Sequence, residues 1–430
     1  MANDKGISIF DFAAAISEAV DLVAPALNNH HRKVANISCS IALAMDLPKD
    51  GIREIVLAAL LHDIGAFSTE ERIEMLQIES FGPGNNKHAL LGYKLLKAFQ
   101  PMAKAAALIK HHHADFSKSG DSVPLGSYII GLADRIAVWY KEDSTAVCRV
   151  SETLGRVREN EGRFHPEVLS AFKRLVGHEY FIMETFSPSL STVSMKKVPF
   201  QKVIVDMETL KSFAKVIAQI IDFRSRFTAT HSSGVAAVAS ELAGIVGFSE
   251  KDCKLMEIAG YLHDVGKLAV PNDILEKKGA LDDEEYSIVK RHAYYTYAIL
   301  DKIDGLENIA AWAAFHHERQ DGNGYPFHIK DEDFCMFSRV MAVADILTAL
   351  TEDRPYREGM GMEKAGKVLF EMADKGCVDR HIVEVANRNI RHVNNVRIRA
   401  QKKALHEYEE FHSGLSAHEA DMADREQYIS

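Results

Sequence analysis

Apolar residues recur along most of the chain with the spacing of amphipathic helices. Residues 34–45, 52–65 and 235–247 each place them at positions i, i+3, i+4 and i+7, which lie on one face of a helix. The alternation of period two that marks a half-buried strand is almost absent. Its closest approach is residues 202–207, a stretch that could equally be a linker. The pattern therefore predicts an all-α fold.

A set of histidines and aspartates occurs twice along the chain, in the same order. Each member of the first set recurs 201, 204 or 211 residues later in a matching local sequence, such as LLHDIG against YLHDVG. The triplet His111–His113 leaves the register of one pair uncertain by one residue. The first set is His30, His62, Asp63, His88, His112, His113 and Asp134, and the second is His231, His263, Asp264, His292, His316, His317 and Asp345. Such an internal repeat predicts two copies of one helical domain.

The repeat also suggests where the domains begin and end. A chain of 430 residues is longer than one hydrophobic core usually serves, so two domains are expected. We place them at residues 1–187 and 201–400, with a linker containing serine and proline at 188–200. Residues 401–430 are highly charged and poor in aromatic side chains. They are expected to form a solvated helix or a tail, with a partner-binding helix as the alternative.

Composition excludes several classes of protein. A net charge of −10 and a pI of about 6.1 argue against non-specific binding to long nucleic acid, which needs a basic surface. The five cysteines contain no C-x-x-C pair, which is typical of free thiols in a reducing compartment. The first residues lack the pattern of a signal peptide, and no apolar run approaches the roughly 20 residues of a membrane span. We therefore expect a soluble, cytoplasmic protein.

The repeated residues have the chemistry of metal ligands. A lone buried histidine is most often a hydrogen-bonded core residue, but five histidines and two aspartates repeated in register favour a metal site. A carboxylate can bridge two cations, and Asp264 is placed to do so. The donor set suits Fe or Mn first, and Ni or Zn next, rather than Mg or Ca. Two such ions about 3.5–4 Å apart can hold a bridging water and aim it at phosphorus.

Three motifs of the second copy resemble the HD-GYP subfamily of the HD superfamily. They are HDVGK (263–267), HHERQDGNGYP (316–326) and DRPYR (353–357), and the resemblance covers about residues 205–395. It implies two tandem HD-type helical domains, the second a bacterial phosphodiesterase. Members of this subfamily open cyclic di-GMP and, in some cases, 3′,3′-cyclic GMP-AMP, releasing linear dinucleotide or mononucleotides.

The resemblance also implies roles for individual residues. One metal would take His231, His263, Asp264 and Asp345, and the other Asp264, His292, His316 and His317. Lys267 would stabilise the charge that develops on the scissile phosphate. The substrate pocket would be shaped by Asp321, Gly322, Gly324, Tyr325 and Pro326. Arg354 and Arg357 would bind the substrate phosphates, unless they form structural ion pairs. Some members bind a third metal through a glutamate, but Phe227 stands at that position here, so we expect a binuclear site.

The first copy keeps the seven candidate ligands and lacks the residues around them. Ala66 replaces the lysine, no GYP loop follows the histidines, and Asp143 and Ala146 stand where Arg354 and Arg357 would be. We expect a regulatory or structural domain in which metal binding is chemically feasible. A metal-free vestige and a hydrolase of another substrate are the alternatives.

Three functions compete for the whole chain. The first is hydrolysis of a cyclic dinucleotide in the second copy. The second is a signalling adaptor that senses a nucleotide without turning it over, and the third is an HD-type nucleotidase. The sequence does not rank cyclic di-GMP against 3′,3′-cyclic GMP-AMP. A homodimer is compatible with it, because helical regulatory domains of such proteins often dimerise.

Overall fold

The protein is built from helices. The computed structural model describes residues 8–23, 29–68, 71, 87–139, 146–185, 192–200, 206–224, 228–277, 279–353 and 358–427. These residues form α-helices and short 3-10 helices, and no β-strand occurs among them. The prediction of an all-α fold is confirmed. Residues 202–205 of the stretch that could have been a strand lie outside the described residues, and a helix begins at Met207.

The chain divides into two compact units. The first comprises Met1–Ile204 with Pro271–Asp273 and Lys302–Gly305, and the second comprises Val205–Val270, Ile274–Asp301 and Leu306–Ser430. The described α-helices before residue 205 are α1 (Ile9–Asp21), α2 (His30–Ala44), α3 (Lys49–Leu61), α4 (Lys87–Leu96), α5 (Ala103–Ile109), α6 (Phe116–Ser119), α7 (Leu125–Trp139), α8 (Ala146–Glu159), α9 (Pro166–Val176), α10 (Glu179–Thr185) and α11 (Val193–Lys196).

The described α-helices of the remaining chain repeat the same order at their start. They are α12 (Met207–Asp222), α13 (His231–Val246), α14 (Glu250–Leu262), α15 (Asn272–Leu275), α16 (Asp283–Leu300), α17 (Glu307–Ala314), α18 (Met336–Thr351), α19 (Met362–Asp374), α20 (Arg380–Arg388) and α21 (Ile390–Gln427). A 3-10 helix, Val265–Ala269, follows α14.

One helix lies at the centre of each unit. In the first unit α2 packs against α1, α3, α7 and α9, and in the second α13 packs against α14, α18 and α21. Buried apolar side chains fill these contacts, including Ile37 and Ile41 on α2 and Val235 and Val238 on α13. Since α2 and α13 begin at His30 and His231, each central helix carries a candidate ligand on its first residue.

Two helices that lead to or carry candidate ligands begin at a capping side chain. The Ser249 hydroxyl accepts a hydrogen bond from the Asp252 backbone N–H at the start of α14. Asp282 and Glu285 form a capping box at the start of α16, each side chain accepting from the backbone N–H of the other. These caps fix the starts of α14, which leads to the His-Asp dipeptide, and of α16, which carries His292.

The last helix continues without a break across residue 400, where we placed the end of the second domain. Its polar side chains contact α12: Lys215 and Gln219 donate hydrogen bonds to the Glu407 carboxylate at 2.5 and 3.1 Å. The rings of Tyr408 and Phe411 lie 5.4 and 5.2 Å from that of Phe223. One face of residues 401–411 therefore packs on the second unit, while Lys402, His406 and Glu409 are exposed.

Two expectations from composition can be compared with the described residues. No helix among them is both long enough and apolar enough to cross a lipid bilayer. The thiols of Cys39, Cys253, Cys335 and Cys377 are free, and the side chain of Cys148 lies outside the described residues.

The close approach of α13 and α14 predicts the effect of one substitution. A Cβ on Gly260 would lie 2.5 Å from the Cα and 2.8 Å from the N of Ala236. We expect Gly260→Ala to lower the free energy of unfolding by about 1–3 kcal/mol, because the backbone must shift to admit the methyl group. The midpoint of urea unfolding measures this effect.

Gly244 on α13 provides a matched control. A Cβ there would meet only the Cys253 Sγ at 3.6 Å, an ordinary contact. Gly244→Ala should leave stability unchanged or raise it by roughly 0.5–1 kcal/mol. Equal losses in the two variants would contradict the packing described for α13 and α14.

Candidate metal centres

The structure brings the seven predicted ligands of the second unit together. His231 opens α13, His263 and Asp264 follow α14, and His292 lies within α16. His316 and His317 belong to the 3-10 helix Phe315–His317, and Asp345 lies within α18. All are buried except His317, which is partly exposed. Residues far apart in sequence thus converge on one point.

Asp264 lies between two groups of histidines. Its Oδ2 is 3.1 Å from the His263 Nε2 and 3.9 Å from the His231 Nε2. Its Oδ1 is 3.4 Å from the His292 Nε2. Each oxygen therefore faces a different group, as a carboxylate that bridges two cations requires.

The remaining ligands complete the two groups. Asp345 joins the first through its Oδ1, which lies 3.3 Å from the His231 Nε2. The second group consists of His292, His316 and His317, whose ligand atoms lie within 4.8 Å of one another. The candidate ligands thus fall into two groups, with Asp264 between them.

Backbone carbonyls fix the orientation of the histidine rings. The Nδ1 atoms of His263, His292 and His316 lie 2.8, 2.6 and 2.7 Å from the carbonyl oxygens of Gly260, Val289 and Ala313, each three residues earlier. A carbonyl only accepts, so each Nδ1 carries the proton and donates. Each Nε2 is then the basic nitrogen, and it faces the centre.

Burial prepares two of these histidines to bind a cation. It lowers the pKa of His292 to about 3. Burial, together with the neighbouring His317 and His263, lowers the pKa of His316 well below its usual value. Both rings are therefore neutral at pH 7, and a metal ion binds them without displacing a proton.

Asp264 is charged for a different reason. Burial alone would raise its pKa, but the neighbouring His263 and the Lys267 ammonium hold the pKa well below its usual value. The Lys267 Nζ lies 2.5 Å from the Asp264 Oδ2, and the lysine side chain is 23% exposed. Lys267 therefore reaches from the carboxylate at the centre to the solvent side of the site.

Glu352 is a functional residue that the sequence analysis missed. Its carboxylate oxygens lie 3.0 and 3.1 Å from the His231 Nδ1, and Gln401 on α21 donates to it at 3.3 Å. Burial lowers the pKa of His231, but the Glu352 and Asp345 carboxylates outweigh burial and raise it to about 10. In the metal-free protein His231 therefore holds a proton that a metal ion must displace.

The turn after the His-Asp dipeptide requires glycine in both units. A Cβ on Gly266 would lie 1.9 Å from the carbonyl oxygen of His292, and one on Gly65 would lie 2.2 Å from that of His88. The chain therefore passes directly against the backbone of another ligand. The repeated motifs HDVG and HDIG contain this signal, but the sequence analysis considered only the polar positions.

The Gly-rich loop of the second unit lies beside the metal ligands. The Tyr325 ring is 4.8 Å from that of His317, and the Tyr325 N–H donates to the His317 carbonyl at 3.2 Å. Glu318, which the sequence analysis also missed, accepts from the backbone N–H groups of Phe327 and Ile329 at 2.7 and 3.0 Å. The buried Glu318 carboxylate therefore holds the loop in place.

The other predicted loop residues play structural parts in this turn. Asp321 accepts hydrogen bonds from the Asn323 N–H and the Arg319 guanidinium. Gly322 has a φ of 74°, which favours glycine, and a Cβ on Gly324 would lie 2.4 Å from the Glu318 Cα. Pro326 follows a cis peptide bond and lines a cavity with Tyr325. Arg354, Arg357 and Phe227 lie outside the described residues.

That cavity is connected to the second group of histidines through Tyr325, whose ring lies 4.8 Å from that of His317. Its volume is about 490 Å³, and its lining combines cationic and aromatic side chains: Lys290, Arg291, Tyr294, Tyr295, Asn323, Gly324, Tyr325, Pro326 and His328. The Lys290 ammonium lies 5.3 Å from the centre of the Tyr325 ring. In the first unit leucines, Leu90 and Leu91, occupy the positions of Tyr294 and Tyr295.

The first unit reproduces the geometry of the second at its own ligands. The Asp63 Oδ2 lies 3.1 Å from the His62 Nε2, and its Oδ1 lies 3.4 Å from the His88 Nε2. The His30 Nε2 is 3.3 Å from the Asp134 Oδ1. All three distances equal their counterparts in the second unit. His112 and His113 group with His88, which settles the register of the histidine triplet.

The surroundings of the first centre differ from those of the second. Ala66 stands in place of Lys267 and is fully buried. The buried Arg135 guanidinium, which the sequence analysis did not single out, donates to the Asp134 Oδ2 at 2.6 Å. Isoleucine occupies the corresponding position after Asp345. The cationic side chain therefore contacts Asp134 in the first centre, whereas in the second centre it contacts Asp264, the aspartate of the His-Asp dipeptide.

The donor atoms of both units suit divalent transition metals. In the first unit, the His30 Nε2, His62 Nε2 and Asp63 Oδ1 are buried and have no hydrogen-bond partner. Leaving such atoms unpaired costs about 1–3 kcal/mol each, and a bound cation would satisfy all three. In both units, imidazole nitrogens and carboxylate oxygens are the donors that Fe, Mn, Ni and Zn accept.

Comparison with known proteins agrees with this arrangement. One HD domain model matches residues 28–139, and a second HD domain model matches residues 215–382. The chain belongs to the HD domain family. It has two HD domains, and the second carries the HD-GYP-type motifs.

Curated relatives match one or both HD domains. The chain is 29% identical over 389 residues to 3′3′-cGAMP-specific phosphodiesterase 1 of Vibrio cholerae serotype O1, covering 87% of this chain and 90% of the relative. It is 33% identical over 256 residues to 3′3′-cGAMP-specific phosphodiesterase 3 of the same organism, covering 59% and 55%. It is 35% identical over 169 residues to the cyclic di-GMP phosphodiesterase response regulator RpfG of Xanthomonas campestris, covering 38% and 45%.

A solved structure shares the fold. The crystal structure of a cyclic GMP-AMP-specific phosphodiesterase from V. cholerae (V-cGAP3) superposes with a TM-score of 0.62 at 22% identity. The match covers 90% of this chain and 98% of that one. At this level of identity the likeness concerns the fold alone.

The Glu352–His231 pair predicts how metal binding by the second HD domain depends on pH. Because His231 must lose a proton, we expect metal affinity to rise by about tenfold per pH unit between pH 7 and 9. Glu352→Gln keeps the size of the side chain and removes its charge. It should weaken binding at pH 9 by about 10–100-fold and make the pH dependence shallower.

Competition with a chelator of known affinity measures both effects. Glu363→Gln, on the exposed face of α19, is the control and should behave like the wild type. A Glu352→Gln variant with unchanged affinity and an unchanged pH slope would contradict the role assigned to this carboxylate.

Proposed function

We propose that the second HD domain hydrolyses a cyclic dinucleotide in a metal-dependent reaction. The observation that supports this most strongly is the combination of a complete ligand set, Lys267 on the bridging aspartate and an aromatic, cationic cavity beside the ligands. The described part of the first HD domain has the ligand set without the lysine. Metal ligands alone therefore do not distinguish the two domains, whereas the residues that would handle the substrate do.

The ligands would hold two divalent transition-metal ions, for which Fe and Mn are our first candidates. One ion would take His231, His263, Asp264 and Asp345, and the other Asp264, His292, His316 and His317. Ions held here would supply Lewis-acid charge for the phosphate and a water of lowered pKa. The chain's own contribution is to fix the ring orientations through the backbone carbonyls and Glu352 before substrate arrives.

Lys267 would act directly on the substrate. Its ammonium already lies at the Asp264 carboxylate and is partly exposed. A phosphodiester arriving at the ligands would meet it on that side. Negative charge grows on the phosphate oxygens as the ester bond breaks, and a fixed cation stabilises that charge.

The cavity would receive the part of the substrate that is not being cleaved. A cyclic dinucleotide carries a second phosphate and two purine bases around one ring. Tyr294 is half exposed and can stack on a base, while Lys290 and Arg291 can bind a phosphate. Together with the predicted loop residues Asp321 to Pro326, these side chains would form the substrate pocket. Arg354 and Arg357 remain proposed phosphate ligands.

The relatives guide the choice of substrate. The relative that matches across both HD domains acts on 3′3′-cGAMP, so this dinucleotide is the first to test. Cyclic di-GMP is the second, since RpfG acts on it and matches part of this chain. Both substrates contain the phosphodiester that the ligands and Lys267 would engage.

Product analysis tests the proposal. We expect protein loaded with Mn²⁺ or Fe²⁺ to convert 3′3′-cGAMP, cyclic di-GMP or both to linear products, which ion-exchange chromatography separates. Lys267→Met should lower kcat by about 10²–10³-fold. Its metal content should stay at the wild-type level, because the lysine is not a ligand.

Lys364→Met, at an exposed position of α19, is the matched control and should retain full activity. If neither dinucleotide is converted with Mn, Fe, Ni or Zn, the proposal is wrong. A chain that binds the dinucleotide without converting it would be the signalling adaptor.

A further inference from the structure

A buried histidine outside the repeated set lies at the first metal centre. His31 is the second residue of α2, and it is 2% exposed. Its Nδ1 lies 2.5 Å from the Oδ1 of Asp21, the last residue of α1. The ligand atoms of His31, His62 and Asp63 lie within 4.8 Å of one another. A sixth imidazole therefore faces this centre beside the five that the repeat identified.

The second HD domain uses the same two positions differently. The counterparts of Asp21 and His31, 201 residues later, are Asp222 and Ser232. The N–H and the hydroxyl of Ser232 both donate to the Asp222 carboxylate, at 3.1 and 3.0 Å. The aspartate is thus kept in both domains, but only His31 is long enough to extend from it to the His-Asp dipeptide.

The difference between His31 and Ser232 is accompanied by a second difference, between Ala66 and Lys267. In the second domain, the small Ser232 accompanies the long Lys267, whose ammonium contacts the His-Asp aspartate. In the first domain the large His31 accompanies the small Ala66. Each domain therefore places one nitrogen-bearing side chain near its His-Asp aspartate in addition to the repeated histidines, from the central helix in the first and from the 3-10 helix in the second.

We propose that His31 is an additional metal ligand of the first HD domain, oriented by Asp21. Because the Nδ1 donates to Asp21, the Nε2 is the nitrogen free to bind a cation, as in carboxylate–histidine–metal arrangements. His31 joins His30, His62, Asp63 and Asp134 around one divalent transition metal. The buried Nε2 atoms of His30 and His62, which have no hydrogen-bond partner, then both have one.

An extra protein ligand changes what the centre does. Catalytic metal sites keep a coordination position for water or substrate, whereas structural sites fill their positions with protein ligands. With five protein ligands, a six-coordinate ion keeps a single position for water, and no lysine stands beside it to bind a phosphodiester. The first centre is a structural metal site that ties α1, α2, α3 and α7 together. This inference does not depend on the proposed activity of the second domain.

Metal binding by the full chain tests the assignment without an activity assay. The background variant His263→Ala/Asp264→Ala disables the second centre, so that the bound metal reports on the first. We expect this chain to retain metal, measured by elemental analysis, and to bind Co²⁺ with a visible spectrum whose intensity depends on the number of ligands. Asp21→Asn in this background should weaken metal affinity by about 10–100-fold. His31→Ser should weaken it at least as much and change the Co²⁺ spectrum.

Two further variants keep the test decisive. His111→Ser removes the neighbouring histidine of the triplet, which is not in the cluster, and should change neither the affinity nor the spectrum. The double variant His31→Ser/Ala66→Lys has the residues of the second domain at both positions. The long lysine then occupies the space that the histidine leaves, so we expect the helices to pack as before. This variant should fold, as judged by circular dichroism, and still lose affinity by at least 10–100-fold.

The opposite results would overturn the proposal. A background chain that binds no metal shows that the first centre is not a metal site. A folded His31→Ser chain with unchanged affinity and spectrum assigns His31 to packing. A chain that loses thermal stability equally in the presence and absence of metal leads to the same conclusion.

Discussion

The hydrogen bond from a histidine Nδ1 to a fixed acceptor is the constraint on which both centres depend. A buried imidazole that binds a metal through one nitrogen needs a hydrogen-bond partner for the other. For His62, His112, His263 and His316, this partner is the backbone carbonyl three residues earlier. Such a carbonyl is available near the end of a helix, where the next turn does not use it. These four histidines therefore lie at or just beyond helix ends, whereas His292 and Asp345 lie within α16 and α18, and the helices must pack so that all of these side chains meet.

The two domains show how one such scaffold can diverge. The ligand distances are the same in both, whereas the residues beyond the ligands differ. In the second domain a serine leaves room for Lys267, and tyrosines replace leucines beside the Gly-rich loop. In the first domain His31 occupies the corresponding place and Arg135 binds Asp134. We infer that duplication preserved metal binding in both domains, while the means of handling substrate was kept or gained in one.

The repeat explains how much the sequence could predict. It identifies residues that both copies share, and so it singled out the candidate ligands, while comparison of the copies gave the contrast between Lys267 and Ala66. The helical fold was predicted from the spacing of apolar residues. The repeat cannot find His31, which has serine as its counterpart. It also cannot find Glu352, whose contact with His231 spans 121 residues of sequence and leaves no local pattern. The charged segment after residue 400 was expected to be solvated because it has few aromatic side chains. Two of those few, Tyr408 and Phe411, make its contacts with Phe223.

The central claim is that hydrolysis belongs to the second HD domain. The most direct test compares initial rates of cyclic dinucleotide hydrolysis for two equivalent substitutions, Asp264→Asn and Asp63→Asn, in the metal-loaded full chain. The account predicts that Asp264→Asn reduces the rate to background. It predicts that Asp63→Asn, in a chain that remains folded, retains hydrolysis within a few-fold of the wild type. Activity that survives Asp264→Asn and is lost in Asp63→Asn would contradict it.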